Sequence, residues 1–167
     1  MCVEMKGIDT KLITKVLKEI NEDFHQADKI NFALQSDILN ELVKCFKQRD
    51  MVIRELASSA VRKVACTEMG RKTIVESKLI PVVANLFDDT VMQIRANAYN
   101  CLINVAGFTY GIDAVIDAEI LKILVDKLVL EKEQEILILI LKLIQILLEG
   151  EMGTGLILNT QVLSRLN

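Results

Sequence analysis

The sequence repeats itself at a spacing of 41 residues, and this spacing limits the possible folds more than any other feature. Residues 53–65 (IRELASSAVRKVA) align with residues 94–106 (IRANAYNCLINVA), and Gly70 aligns with Gly111. A spacing of 42 then carries Gly111 onto Gly153, and residues 136–148 replace 94–106 in the next copy. Units of this length bury their apolar surface only by stacking on one another.

Each unit is predicted to contain a long helix, a loop with a glycine, a short helix and a third helix. Apolar residues of 94–107 recur at helical spacing, which predicts the long helix. Pro81 falls in the first turn of a third helix, where its missing N–H costs no hydrogen bond. Gly70, Gly111 and Gly153 are predicted to occupy equivalent turns after the long helices. The chain is expected to be one domain with units 9–50, 51–90, 91–132 and 133–167, the last incomplete.

Composition agrees with a helical domain that binds neither nucleic acid nor membrane. Hydrophobic residues make up 51% of the chain and aromatic residues only 4%, an aliphatic mixture that suits helices. The net charge of −3 provides no basic field for phosphates. Residues 136–148 are strongly apolar but carry Lys142 and Gln145, and they are shorter than the ~20 residues that cross a bilayer. They predict a helix packed by neighbours on both sides; a strand is the alternative, which their length disfavours.

Several segments resemble the armadillo consensus. CLINVAG (101–107) and GRKTIVESKLIPVVANLF (70–87) carry this resemblance, which extends over residues 9–167. It implies an all-α, right-handed α-solenoid of about four armadillo repeats.

A narrower resemblance concerns one family of armadillo proteins. Residues 29–54, 70–80 and 124–135, the last with the acidic EKEQE insertion, are similar to the armadillo-repeat subunit of the ciliary radial spoke, the rhabdoid tumour deletion region family. This similarity implies a cytoplasmic scaffold of the axoneme in motile cilia, with radial spoke components as partners. A soluble adaptor that binds extended peptides in its concave groove, for transport or signalling, is the alternative.

Three asparagines of the third unit raise the question of a peptide groove. In nuclear-import armadillo proteins an asparagine near the end of each long helix binds the peptide backbone, one turn after a tryptophan; Asn104 and Asn100 stand at these two positions. A clamp needs the pair in every unit. Instead, Asn104 aligns with Lys63 and Ile146, and Asn100 with Ser59 and Lys142. The asparagines are therefore predicted to face solvent or a protein partner. The candidate partner-binding residues are Ser59, Lys63, Asn97, Asn100, Asn104, Lys142, Leu158 and Leu166.

No pattern in the sequence indicates catalysis, and no enzyme activity, cofactor or metal is expected. The single histidine, His25, has no neighbouring nucleophile, and residues 149–155 (EGEMGTG) match no phosphate-binding loop. Cys45, Cys66 and Cys101 lie in apolar helical runs without metal-binding spacing, and they are expected to be reduced core thiols. Five cations of the second unit are expected to be solvated or to meet an acidic partner: Arg54, Arg62, Lys63, Arg71 and Lys72.

The last unit carries more apolar side chains than one preceding unit can cover, Leu158 and Leu166 among them. This excess predicts that the fourth unit docks against another protein or is continued by further armadillo units.

Overall fold

The structure is a computed structural model that describes the backbone of residues 2–150 and the side chains of residues 10–150. In this range the chain forms ten α-helices and no strand. The helices are α1 (Cys2–Asp23), α2 (Ala27–Leu34), α3 (Ile38–Lys44), α4 (Met51–Val64), α5 (Glu68–Glu76), α6 (Ile80–Ala84), α7 (Met92–Val105), α8 (Thr109–Asp117), α9 (Ile120–Leu130) and α10 (Gln134–Glu149). Short 3-10 turns, Cys45–Lys47 and Asn85–Asp88, follow α3 and α6.

The four long helices form a stack in which α1 packs on α4, α4 on α7 and α7 on α10. A short helix and a third helix follow each of the first three, as the repeat predicts. Pro81 lies in the first turn of α6, also as predicted. The division into units 9–50, 51–90, 91–132 and 133–167 stays a prediction, and the last unit extends beyond the described residues.

The buried faces of the long helices repeat in register. Each of the positions is at most 1% exposed. A spacing of 41 residues relates α4 to α7, and a spacing of 42 relates α7 to α10, so the solvent-facing positions align as well. The buried positions are Ile53, Ala57, Ala60 and Val64 in α4; Ile94, Ala98, Cys101 and Val105 in α7; and Ile136, Ile140, Leu143 and Leu147 in α10.

A left-handed residue recurs before each third helix at the same spacing. Asp37, Lys78 and Glu119 have φ angles of 56°, 54° and 56°. Such a residue reverses the chain direction at a helix end and lets the next N–H groups reach back to helix carbonyls. After Lys78, the Leu79 N–H donates to the Ile74 carbonyl at 3.0 Å. The 41-residue repeat is thus visible in the backbone conformation, although the residue at the left-handed position differs in each unit.

Gly70 and Gly111 are equivalent but do not lie in the turns, so this part of the prediction is wrong. Both are buried third residues of the short helices α5 and α8. A Cβ atom on Gly70 would lie 2.0 Å from the Val64 carbonyl oxygen, and one on Gly111 would lie 1.8 Å from the Val105 carbonyl oxygen. Glycine is required because the short helix crosses directly over the end of the long helix. Gly153 lies outside the described residues.

Gly70→Ala should lower the free energy of unfolding by at least about 2 kcal/mol, because backbone must shift to admit the methyl group. Gly107→Ala is the matched control. Its Cβ would approach the Asn104 carbonyl oxygen only to 3.1 Å, and the loss should stay below about 1 kcal/mol. Urea unfolding measures both, and equal losses would contradict the close approach of α5 to α4.

Bidentate ion pairs link the beginning and the end of two of the predicted units, 51–90 and 91–132. Arg54 of α4 donates from Nε and Nη2 to both carboxylate oxygens of Asp89, at 2.7 and 3.1 Å. Arg95 of α7 does the same to Glu131, at 3.0 and 3.2 Å. The four side chains are only 8 to 15% exposed. We call these contacts the arginine joints. Each ties a long helix to the segment that leads into the next one.

The two carboxylates of the arginine joints also bind backbone N–H groups. Asp89 accepts from Val91 N at 2.9 Å, and Glu131 accepts from Lys132 and Glu133 N at 3.0 Å. Burial alone would raise the pKa of Asp89, but its bonds to Arg54 and Val91 and the charges of both arginines hold this pKa below its ordinary value. The pKa of Glu131 is lowered by the same balance of burial against hydrogen bonds and charge.

The contact between α1 and α4 lacks an arginine joint. By the repeat, Ile13 takes the place of Arg54 and Gln48 that of Asp89. Both residues line one hollow between α1 and α3. Both charges are therefore replaced together, which avoids leaving either one buried alone.

This replacement defines a double-mutant cycle. Arg54→Ile should cost about 3 kcal/mol, because it leaves a largely buried carboxylate unpaired. Adding Asp89→Gln should recover about 1–2 kcal/mol of that loss, since the pair then matches the contact between α1 and α4. Urea unfolding of the four proteins measures the coupling. Additive losses would show that the charges act independently.

The joint also gives stability a pH dependence. Because the pKa of Asp89 is lower in the folded chain, its contribution is complete above its unfolded value and disappears as the pH falls through the folded value. The loss of unfolding free energy caused by Asp89→Gln should therefore become smaller below about pH 4. Urea unfolding of both proteins at several pH values measures this loss.

Helix α10 covers the apolar run 136–148, which confirms the helix and excludes the strand. Among residues 2–150 it has neighbours on one side only, so packing on both sides stays a prediction. Helices α7, α8 and α9 contact it, while Ile138 and Leu141 are 59% and 52% exposed. Within residues 2–150, no helix has the length and apolar character needed to span a membrane.

Candidate functional site

The solvent-facing positions of the stacked long helices form the candidate surface, here called the polar stripe. Ser59 of α4, Asn100 of α7 and Lys142 of α10 are equivalent by the repeat. Ser59 and Asn100 are half-buried, and Lys142 is exposed. One turn later come Lys63, Asn104 and Ile146, all half-buried. At both positions the side chain differs from one long helix to the next, as the sequence predicts.

Asn97 is not part of the polar stripe, and its assignment as a partner-facing residue is wrong. It is 3% exposed, and its amide nitrogen donates to Ser58 Oγ at 3.0 Å. Ser58 lies on α4 and is 2% exposed. Helix α7 is covered by α4 on one side and by α10 on another, so a polar residue between its apolar positions can still be interior. Asn97 is a buried polar link between two long helices.

Asn100 and Asn104 remain on the surface, but their amide groups are engaged locally. The Asn100 nitrogen donates to the Ala96 carbonyl of its own helix at 2.9 Å. The Asn104 nitrogen points to the Cys66 Sγ at 3.4 Å. Sulfur is a weak acceptor, so this contact holds Asn104 only loosely.

Cys66 and Cys101 differ in environment. Cys101 is buried, and burial raises the pKa of its thiol to about 12. Cys66 is exposed, so its assignment to the core is wrong; it follows the end of α4 at Val64 rather than lying within the helix. Cys45 is half-buried, and burial raises the pKa of its thiol as well.

Most of the predicted cationic cluster of the second unit is already paired within the chain. Arg54 belongs to an arginine joint. Lys63 donates to the Asn21 carbonyl of α1 and lies 3.2 Å from His25 Nε2; burial and the charge of Arg62 lower its pKa. Arg71 lies over the Phe108 ring, 5.7 Å from its centroid, and Lys72 pairs with Glu76 at 3.8 Å. The cluster is not a free basic patch.

Among the described residues, the single histidine lies at the surface and the possible metal ligands are dispersed. His25 is exposed, as expected, with Lys63 as its neighbour. From residue 10 to residue 150, no three His, Cys, Asp or Glu side chains are grouped closely enough to hold a metal ion. Leu158 and Leu166, and most of the glycine cluster 149–155, lie outside the described residues.

The arginine joints were not among the predicted contacts, although the sequence contains their signal. Arg54 and Arg95 align in the repeat, and an acidic residue follows each by 35 or 36 residues. Such a pair of matched charges, repeated at the same positions of two units, indicates a contact between the beginning and the end of a unit. The groove beside Tyr110, described below, had no comparable signal, because its walls come from two different units.

Comparison with known proteins identifies the fold but no family. No model of a known protein family matches the chain, and no curated protein matches it. Solved structures do match, at 20% identity or less among the most similar. A designed armadillo repeat protein in complex with the peptide (KR)4 superimposes with a TM-score of 0.79 at 19% identity, covering 88% of this chain and 63% of that one.

Two further structures agree. Computationally designed armadillo repeat proteins for modular peptide recognition give a TM-score of 0.76 at 20% identity, covering 85% of this chain and 60% of that chain. An engineered protein superimposes with a TM-score of 0.76 at 20% identity, covering 87% of this chain and 60% of that chain. The chain thus spans about 60% of the length of these structures. The predicted all-α armadillo solenoid is confirmed.

Asn97→Ala should lower the free energy of unfolding more than Asn104→Ala, because Asn97 is interior and Asn104 lies on the surface. Losing the buried Asn97 to Ser58 bond should cost about 1–3 kcal/mol, since it leaves a polar group unpaired. Losing the loose contact of Asn104 should cost less than about 1 kcal/mol. Thermal unfolding of both variants measures the difference. Equal stability would mean that the asparagine contacts differ from those described.

Proposed function

We propose that this chain is a non-catalytic armadillo scaffold that joins protein subunits, with the radial spoke of the motile-cilium axoneme as its setting. The observation that supports a scaffold is the changing composition of the polar stripe. Ser59, Asn100 and Lys142 are equivalent, yet they offer a hydroxyl, an amide and an ammonium group. Such a surface suits a folded partner, whose contacts differ at each point, better than a peptide backbone that repeats.

The arginine joints support the same proposal. A scaffold must hold its partners at fixed positions, and the joints tie α4 and α7 to the segments that lead into the next long helices. Their bidentate geometry restricts orientation as well as distance. The polar stripe is therefore a surface of defined shape on a stacked core.

Support for the axonemal setting comes from the sequence resemblance to the armadillo-repeat subunit of the radial spoke. The partners under this proposal are other spoke components, and the location is the cilium or flagellum. The proposed role needs no cofactor.

The test is association with axonemes in ciliated cells. Tagged wild-type protein should stay with detergent-extracted axonemes and crosslink to spoke subunits. Ser59→Arg with Asn100→Arg places two bulky cations on the polar stripe and should reduce retention by about tenfold, since each truncated or blocked central contact costs about 1 kcal/mol or more.

The matched control makes the same two changes elsewhere. Ser36→Arg with Asn85→Arg alters two exposed residues and should leave retention unchanged. Equal melting temperatures would show that both variants fold. Extraction of the wild-type protein with detergent, or equal retention of both variants, would contradict the proposal.

An adaptor that binds extended peptides is the second candidate. It is favoured by two structural neighbours, one designed for modular peptide recognition and one solved with a (KR)4 peptide. Calorimetric titration with a (KR)4 peptide separates the two functions. Binding to the polar stripe that weakens about tenfold in Asn104→Ala supports the adaptor, whereas the scaffold predicts no binding there.

A further inference from the structure

A second surface lies between the short helices of the second and third units. A groove of about 420 Å³ runs between α8, which contributes Tyr110, Asp113 and Asp117, and the opposite wall of Val75, Ile80 and Pro81. We call it the Tyr110 groove. None of its lining residues belongs to a long helix, so it is distinct from the polar stripe. It is open to solvent and largely apolar at its base.

Tyr110 is exposed and lies beside one other aromatic ring. Its side chain is 52% exposed, and its ring lies 6.1 Å from that of Phe108, tilted by 42°. Arg71 covers Phe108 in turn. Tyrosine has few rotatable bonds, so it loses little conformational entropy when a ligand stacks on it, and it is enriched among residues that dominate binding energy.

The two aspartates along the groove have no ion pair among residues 10–150. Neither Asp113 nor Asp117 has an ion pair among the described residues, whereas the nearby Glu119 is paired with Lys122 at 2.6 Å. Lys78 also lines the groove and is exposed, but it pairs with neither aspartate. The α8 wall therefore offers two open carboxylates beside an aromatic ring.

Comparison with the preceding unit shows that this arrangement is particular to α8. The positions equivalent to Tyr110, Asp113 and Asp117 are Met69, Lys72 and Glu76. There the two charged residues form an ion pair with each other. In the third unit both are acidic, so the pairing along the helix is lost and a cation must come from elsewhere or from solvent.

We propose that the Tyr110 groove binds a segment of a partner protein that presents an arginine next to an aliphatic side chain. The guanidinium group stacks on Tyr110 and donates hydrogen bonds to Asp113 and Asp117. The aliphatic side chain fills the base formed by Val75, Ile80 and Pro81. This assignment rests on the proposed function only in taking a protein as the ligand.

The test uses the full ¹⁵N-labelled chain and two capped tetrapeptides, Gly-Arg-Leu-Gly and Gly-Glu-Leu-Gly. The arginine peptide should shift amide resonances of α8 and residues 78–81, and the glutamate peptide should bind at least about tenfold more weakly. Asp113→Asn with Asp117→Asn should weaken the arginine peptide about tenfold, as should Tyr110→Ala.

The matched control removes two other exposed carboxylates. Glu133→Gln with Glu135→Gln removes the same number of negative charges and should change affinity by less than about twofold. Equal binding of the two peptides, shifts located at Ser59 and Asn100 instead, or unchanged affinity in the double asparagine variant would each overturn the assignment.

The outcome is separable from that of the proposed function. If the chain fails to associate with axonemes while the arginine peptide still binds, the axonemal setting fails and the Tyr110 groove stands. If the chain associates but the peptide does not bind, the groove assignment fails alone.

Discussion

The stacking of long helices is the interaction on which the rest of the structure depends. Helix α7 buries aliphatic side chains against α4 and against α10, and no single unit could cover both of these faces. The short helices α5 and α8 then cross the ends of α4 and α7 so closely that glycine is required at Gly70 and Gly111. The polar stripe and the Tyr110 groove both exist because this stack fixes the spacing of equivalent residues.

Ion pairs restrict the relative orientation of helices that apolar packing holds together. Stacked aliphatic faces tolerate small slips, because dispersion and hydrophobic burial have little directional preference. A bidentate arginine has such a preference. Arg54 with Asp89 and Arg95 with Glu131 restrict how α4 and α7 are oriented against the segments that lead into the next long helices, whereas Ile13 and Gln48 leave α1 without this ion pair.

The repeat made most of the fold predictable from sequence. Buried positions recur at the same 41-residue spacing as the repeated sequence, so aligning residues 53–65 with 94–106 correctly placed α4 and α7. Asn97 could not be placed in the same way, because a helical wheel shows one apolar face but not that a stacked helix is covered on two. The position of Gly70 inside α5 was also hidden, since a glycine near a helix boundary suits a turn or a close approach equally well. The walls of the Tyr110 groove lie about 30 residues apart, and nothing in either segment indicates the other.

Native-state hydrogen exchange tests the central claim that the long helices form one coupled stack. Among the described helices, α4 and α7 each pack between two long neighbours, whereas α1 and α10 each contact one. The amides of α4 and α7 should therefore exchange together, at one free energy close to that of global unfolding, while α1 and α10 open at lower free energies. Exchange of α4 and α7 at clearly different free energies, or protection of α10 equal to theirs, would contradict the account.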